Sequence, residues 1–188
     1  TYGGMRGSAG YWNSGTEELV FYDARKVEKV GPSDDSNTFI VLYHEAFHQY
    51  IHYSTGELPP HSWYNEGTGD YFSGAVIKNG KVRRIGVNPW RLGTIQRAIR
   101  QRKYVPWVKI IRWEQKDYYR NGSQNYAQGW SMIYFLRTAP EVAANPVWSA
   151  ILPTYFETLK AEYGSELAEL PEGASKEVRW EAGKRARE

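Results

Sequence analysis

The sequence predicts a mainly helical α+β domain in which a small β element precedes the helices. Three observations support this fold class: a glycine-rich start with a short apolar run, several long segments with helical patterning, and turn signals between them. Hydrophobic residues make up 41% of the 188 residues, which is typical of a globular chain that buries a core. We expect one domain over residues 1–163, as a whole or as part of a larger protein. A charged tail over residues 164–188 has few large apolar residues, so we expect it to be poorly ordered.

The β element is predicted within the first thirty residues. Residues 1–15 are rich in glycine and favour a loop or a short irregular edge strand. The apolar run at residues 19–22 favours a strand, and residues 27–30 can pair with it. Residues 31–36 combine glycine, proline, serine and aspartate, so they end the β pattern and offer N-caps for a helix.

Helices are predicted from this point onward. The first covers residues 38–53, where apolar residues occupy most faces, and it ends before Gly56. Ser62 can cap a second helix over residues 63–77, whose internal glycines lower helix propensity and therefore require close packing against a neighbouring element. The other predicted elements are a hairpin or a helix end at Asn79-Gly80 and helices over residues 91–103, 123–138 and 147–163.

The composition limits the chemistry that the chain can perform. It contains no cysteine, so disulfides and thiolate metal sites are excluded, and any zinc must take nitrogen and oxygen ligands. Neither a membrane-length apolar run nor a signal-peptide pattern is present. The start at Thr1 indicates a processed or excised chain, and we expect a secreted or periplasmic protein rather than a cytoplasmic one.

The main chemical signal is the segment His44-Glu45-Ala46-Phe47-His48, which matches the pattern HExxH. Residues four apart on a helix lie about 40° apart around the axis and about 6 Å along it, so both imidazoles can reach one metal ion. Glu45 then lies beside them, where it can accept a proton from the attacking water. The alternative is a pair of packed histidines on an internal helix.

HExxH requires a third protein ligand, and elimination leaves one candidate. A metzincin would have glycine and histidine where this chain has Ile51 and Ser54, and peptide deformylase would need a cysteine. His52 lies about 12 Å along the helix axis from His44, which is too far for the two to share an ion. Glu66 remains, far enough beyond the motif for a turn and a second helix to return across the first.

Asp70 lies four residues after Glu66 and therefore shares its helix face. From there it can accept a hydrogen bond from the far N–H of a ligand imidazole and fix the orientation of that ring. A solvated acidic face is the alternative interpretation for both carboxylates.

The strings HEAFH and NEGTGD together resemble the gluzincins, the clan of thermolysin and aminopeptidase N, over roughly residues 39–137. The fuller strings HEAFHQY and WYNEGTGDYF look still more like uncharacterised bacterial gluzincin-type domains. This resemblance implies a zincin-like catalytic core that hydrolyses peptide bonds in peptide or protein substrates with one zinc ion. It implies the following roles: His44, His48 and Glu66 as zinc ligands, Glu45 as general base, and Asn65 and Asp70 as partners of the ligands.

Tyr126 is the candidate donor to the oxyanion that develops during hydrolysis. In aminopeptidase-type gluzincins a catalytic tyrosine opens a Tyr-x-x-Gly pattern, and the segment from Tyr126 to Gly129 is similar. A phenol has a pKa near 10, so it stays protonated at working pH. The alternative is an ordinary packed tyrosine, one of 15 in the chain. Lesser candidates are His61 for the cleft wall and residues 10–13 for binding extended peptide.

Basic residues are concentrated in the middle of the chain. Residues 72–112 contain 11 lysines and arginines, all of them within residues 78–112, and no acidic residue. We expect this stretch to be a solvated face or to neutralise the acidic N-terminal part, and we expect no nucleic-acid partner. Two alternatives to a peptidase remain: an inactive zincin-like module that binds a peptide or an anionic polymer, and a nucleic-acid-binding module in which HExxH is fortuitous. Retention of Glu45 with all the ligands speaks against the first.

Overall fold

A small antiparallel hairpin precedes the helices. The computed structural model describes residues 10–21 and 36–188, so the strand pairing expected for residues 27–30 lies outside the described residues. Strand β1 (Gly10–Asn13) pairs with β2 (Glu18–Phe21), and both strands contact the first helix. The chain is thus a mainly helical α+β protein, as predicted.

The first two helices cross each other at the centre of the fold. Helix α1 (Ser36–Ser54) confirms the predicted segment. Helix α2 (Ser62–Phe72) is shorter than predicted and begins at Ser62 itself, with His61 in the N-cap position. The predicted cap and the helix over residues 73–77 are therefore wrong.

A second hairpin replaces the missing end of α2. Strands β3 (Ala75–Lys78) and β4 (Lys81–Ile85) pair antiparallel, and Asn79 and Gly80 turn the chain with φ values of 54° and 68°. Two consecutive positive φ angles are typical of the type I′ turn that Asn-Gly favours, so the hairpin interpretation is confirmed. The Gly86 N–H donates to the carbonyl oxygen of Gly74 (2.7 Å), which adds a bond at the open end of the hairpin.

The rest of the described chain is helical. Helix α6 confirms the segment predicted over residues 123–138, and the segment predicted over residues 147–163 is divided between a short helix and a long one. The helices are α3 (Pro89–Arg100), α4 (Trp107–Ile110), α5 (Gln115–Tyr119), α6 (Gly122–Thr138), α7 (Pro140–Ala143), α8 (Pro146–Ser149), α9 (Ile151–Ala168) and α10 (Lys176–Arg185).

The expected poor order after residue 163 is wrong. Helix α9 continues to Ala168, and α10 packs against it. Ala182 in α10 is fully buried, and a Cβ atom at Gly183 would lie 3.1 Å from the Leu58 side chain. These two small residues let a charged helix approach the rest of the fold closely, although it has few large apolar side chains.

Helix α2 packs tightly on two neighbours through its glycines, as the sequence predicts. A Cβ atom at Gly67 would lie 2.6 Å from the backbone carbonyl of Gly129 in α6, and one at Gly69 would lie 2.9 Å from Nδ1 of His44 in α1. No real Cβ atom tolerates these distances. The main core surrounds this contact and contains Phe47, Ile51, Trp63, Tyr64, Ile110, Tyr118, Met132, Ile133 and Leu152.

Among the described residues, no helix is both long enough and apolar enough to span a lipid bilayer.

Candidate metal centre

Three candidate ligands converge where α2 crosses α1. One turn of α1 carries His44 and His48, and α2 carries Glu66. Their donor atoms all lie within 4.8 Å of one another. The Glu66 Oε2 atom is 3.2 Å from Nε2 of His44 and 3.4 Å from Nε2 of His48. Two imidazole nitrogens and one carboxylate oxygen form a donor set that suits zinc and leaves a coordination position for solvent or substrate.

A polar partner holds the far nitrogen of each imidazole. The His48 Nδ1–H group donates to Oδ1 of Asn65 (3.1 Å), and Nδ1 of His44 lies 3.3 Å from Oδ1 of Asp70. With a proton on each Nδ1, the Nε2 lone pairs point toward Glu66 and remain available to a metal. The structure thus brings Asn65 next to His48 and Asp70 next to His44, both of them expected partners of the ligands.

Asp70 is itself clamped by residues that the sequence analysis did not identify. Arg91 of α3 donates to both carboxylate oxygens, from Nε to Oδ2 (2.6 Å) and from Nη2 to Oδ1 (3.1 Å). The Asn88 side chain donates to the backbone carbonyl of Asp70 (3.1 Å). A bidentate arginine fixes the plane of a carboxylate, so Arg91 controls the oxygen that faces His44. A buried carboxylate requires such a cationic partner, but no sequence signal identifies Arg91 as that partner.

The metal-free cluster is an ionised network. Burial lowers the pKa of His44, but its contacts with Asp70 and Glu66 outweigh burial and raise the pKa to about 10. Burial also opposes the charge of Glu66, yet the charge of His48 and the contacts with both rings hold the pKa of Glu66 well below its usual range. The cluster therefore carries a proton on an imidazole that a metal ion would displace on binding.

Two tyrosines lie against the ligands. The Tyr119 hydroxyl donates to Oε1 of Glu66 (2.5 Å), the oxygen that does not face the histidines. The predicted Tyr126 stacks between Tyr119 and His44, with ring centroids 5.9 and 6.3 Å apart. Burial and the charge of Glu66 raise the pKa of both phenols, so both are protonated donors. No sequence signal separates Tyr119 from its neighbour Tyr118, which is fully buried.

Glu45 lies beside the ligands but outside the cluster of three. Its Oε2 atom accepts the backbone N–H of Trp12 (2.9 Å), which joins β1 to α1 at this point. This N–H points toward α1 rather than toward β2. The edge of β1 that does not pair with β2 therefore faces Glu45. The sequence analysis missed this contact, because the two residues are 33 positions apart.

The three candidate ligands line a cleft. Its main part has a volume of about 610 Å³ and lies between β1, α1 and α10. A second cavity of about 410 Å³ continues on the side of Trp90 and Arg91, and His44, Glu45 and Tyr126 line both. The candidate site therefore lies between two adjacent cavities that share these three side chains. The walls of the main part include five tyrosine and tryptophan side chains: Tyr11, Trp12, Tyr119, Tyr126 and Trp180.

The remaining histidines lie outside the ligand cluster. His52 makes an edge-to-face contact with Trp12, with ring centroids 5.9 Å apart, and it lines the cleft. The His61 ring hydrogen-bonds with the Tyr155 hydroxyl (2.9 Å) and with the backbone carbonyl of Arg187 (3.2 Å). His61 therefore joins α2 to the C-terminal end of the chain. The sequence analysis expected it to line the cleft wall, but it does not line this cleft.

The basic stretch is mainly a solvated surface. In the part of the chain that the structure describes, Arg91 is its one member in an ion pair with an acidic side chain. The exposed members include Lys78, Lys81, Arg97 and Arg100. The expectation of a solvated face agrees with this arrangement.

Comparisons with known proteins place the site within a described family. A family model described as "Protein of unknown function (DUF1570)" matches residues 39–144, which include all three candidate ligands, Glu45 and Tyr126. No curated protein and no solved structure matches the chain. The matched segment lacks β1 and α10, although both line the cleft. Because the match covers more than half of the sequence, the chain belongs to the DUF1570 family.

Proposed function

We propose that this protein is a zinc-dependent peptidase in which Glu45 is the general base. One observation carries the proposal: the donor atoms of His44, His48 and Glu66 lie within 4.8 Å of one another at the wall of a cleft. Glu45 lines the same cleft without being part of that cluster. Structural histidines and carboxylates in a core have no need of such a cleft, whereas hydrolysis does.

The residues present fit the chemistry that zinc would supply. Held by His44, His48 and Glu66, a zinc ion would lower the pKa of a ligated water and would polarise the scissile carbonyl group. Glu45 accepts the proton from the attacking water and returns it to the leaving amine. The Trp12 N–H bond orients the Glu45 carboxylate for both transfers, since it restrains one oxygen and leaves the other to exchange protons.

Strand β1 provides a surface for an extended substrate. In the described residues its sheet has two strands, and β2 pairs with one edge of β1. The other edge faces the cleft, where β1 residues line the wall. A peptide bound in the cleft would run along this edge, where the outward N–H of Trp12 already bonds to Glu45. This would bring the peptide backbone next to Glu45.

The proposal is tested by removing and restoring the metal. Metal analysis of the purified protein should find one zinc ion per chain, and a mixed peptide library should be cleaved. A chelator such as 1,10-phenanthroline should abolish cleavage. Added zinc should restore it, while magnesium should not, because magnesium prefers six oxygen ligands. Cleavage that persists after the metal has been removed would refute the proposal.

The two tyrosines are expected to have different roles. Tyr126→Phe should lower kcat by about two to three orders of magnitude with unchanged zinc content, because it removes a donor to the developing oxyanion. Tyr119→Phe should weaken zinc binding by about 10- to 100-fold, because it removes a hydrogen bond to the ligand Glu66. Zinc titrations and rates at saturating zinc separate the two effects. A large loss of kcat in zinc-saturated Tyr119→Phe would assign the donor role to Tyr119.

A further inference from the structure

Helix α10 contributes a wall of the cleft, although it lies outside the segment that the family model matches. Its residues Lys176 and Trp180 are one helical turn apart and both line the cleft. The Arg187 guanidinium lies over the Trp180 ring, 5.7 Å from its centroid. Arg187 also donates to the backbone carbonyl of Pro59 (2.9 Å) and to the Tyr163 hydroxyl (3.1 Å). These contacts make Trp180 a fixed part of the wall.

Lys176 reaches from α10 toward the turn of the first hairpin. Its Nζ atom lies 3.9 Å from the position of a Cβ atom at Gly15, between β1 and β2. Trp12, whose N–H bonds to Glu45, is three residues earlier. Because three residues of chain span at most about 11 Å and residues 14–17 form a turn, Gly15 lies no more than about 11 Å from Trp12. That distance corresponds to two or three residues of an extended peptide.

Lys176 differs from the other cations of α10 in its ion-pair partners. Other cations of α10 are paired: Arg179 lies 3.7 Å from Glu57, Lys184 lies 2.7 Å from Glu181, and Arg185 lies 2.6 Å from Glu166. Among the described residues, no acidic side chain forms an ion pair with Lys176. Glu57, which also lines the cleft, is the partner of Arg179.

We propose that Lys176 binds a carboxylate of the substrate two or three residues from the cleaved bond. The inference rests on the proposed peptidase function and narrows its substrate class to peptides with a negative charge at this distance. The carboxylate can belong to the C-terminus or to an acidic side chain.

Binding tests the inference independently of turnover. The probes are three hexapeptides of alanine, glycine and phenylalanine: one with a free C-terminal carboxylate, one with a C-terminal amide, and one amide with a glutamate third from the end. Their Kd values are measured by calorimetry on Glu45→Gln protein in the presence of zinc. We expect the free carboxylate to bind about fivefold tighter than the plain amide, the gain typical of a partly exposed ion pair. Preference for the glutamate peptide alone would identify a side-chain carboxylate as the ligand.

Two variants of α10 test whether Lys176 causes the preference for carboxylate. In the same background Lys176→Gln should abolish the preference for carboxylate, whereas Lys184→Gln, which removes a cation outside the cleft, should preserve it. Both side chains lie toward solvent, and thermal unfolding will verify that both variants fold. Equal affinity for all three peptides, or a preference that survives Lys176→Gln, would overturn the inference.

The wild-type enzyme separates this inference from the proposed function. If the peptides are cleaved at rates that depend neither on the carboxylate nor on Lys176, the peptidase stands and the carboxylate site is wrong. If no peptide is cleaved but Lys176-dependent binding is found, the carboxylate site stands and the peptidase is wrong.

Discussion

Replacing Glu45 with Gln is expected to lower kcat by about 10²- to 10⁴-fold, the range of a lost general base, while one zinc ion per chain remains bound. Glu45 lies outside the ligand cluster, so its replacement removes none of the three donors. The amide has the same shape and can still accept the Trp12 N–H through its oxygen. It cannot accept a proton from water at neutral pH, and this single change accounts for the expected loss.

The measurement pairs zinc analysis with single-turnover peptide cleavage. Glu57→Gln is the matched control, because Glu57 lines the same cleft and is exposed, 3.7 Å from Arg179. It should retain both zinc and most of the activity. Normal turnover by Glu45→Gln would remove Glu45 from the mechanism. A wild-type protein that binds zinc and peptide without cleavage would favour the inactive binding module.

Replacing Gly67 with Ala is expected to destabilise the fold by about 2–4 kcal/mol, toward the upper end of overpacking effects. The added Cβ atom would meet the backbone carbonyl of Gly129 at 2.6 Å, and backbone cannot rotate away as a side chain can. Helices α2 and α6 would have to separate. Because Glu66 is the adjacent residue, the separation should also weaken zinc binding.

The matched control is a second glycine within a helix, Gly93 of α3. A Cβ atom there would meet nothing within 4 Å, so Gly93→Ala should add stability of about 0.5–1 kcal/mol from helix propensity alone. Denaturant unfolding of both variants, with and without zinc, measures the difference. Equal and small effects at Gly67 and Gly93 would show that α2 and α6 are not in close contact.

Features encoded by nearby residues could be predicted from the sequence. HExxH defines the positions of two imidazoles through helix geometry, and Asn79-Gly80 defines a type I′ turn through its φ angles. The glycines of α2 correctly indicated a close neighbour. The end of α2 was not predictable from the same segment, because residues 75–78 pair with β4 further along the chain, and helical patterning does not report that pairing.

Contacts between distant segments escaped the sequence analysis. Tyr119 bonds to Glu66 across 53 positions, Arg91 bonds to Asp70 across 21, and Trp12 bonds to Glu45 across 33. No pattern within the sequence distinguishes these residues from others of their type. Helix α10 was expected to be a tail, because its close packing depends on small residues such as Gly183, whose partner Leu58 is far away in the chain.

The amino-acid sequence thus specifies the two imidazoles of HExxH and the carboxylate beside them, since one turn of helix sets their spacing whatever surrounds it. The tertiary structure decides how other segments meet them: it brings Glu66 and Asp70 in from a crossing helix, adds Arg91 and Tyr119, and builds the walls of the cleft. The reason is physical, because helix geometry depends on neighbours along the backbone, whereas burial and packing depend on residues that meet after the chain has closed on itself.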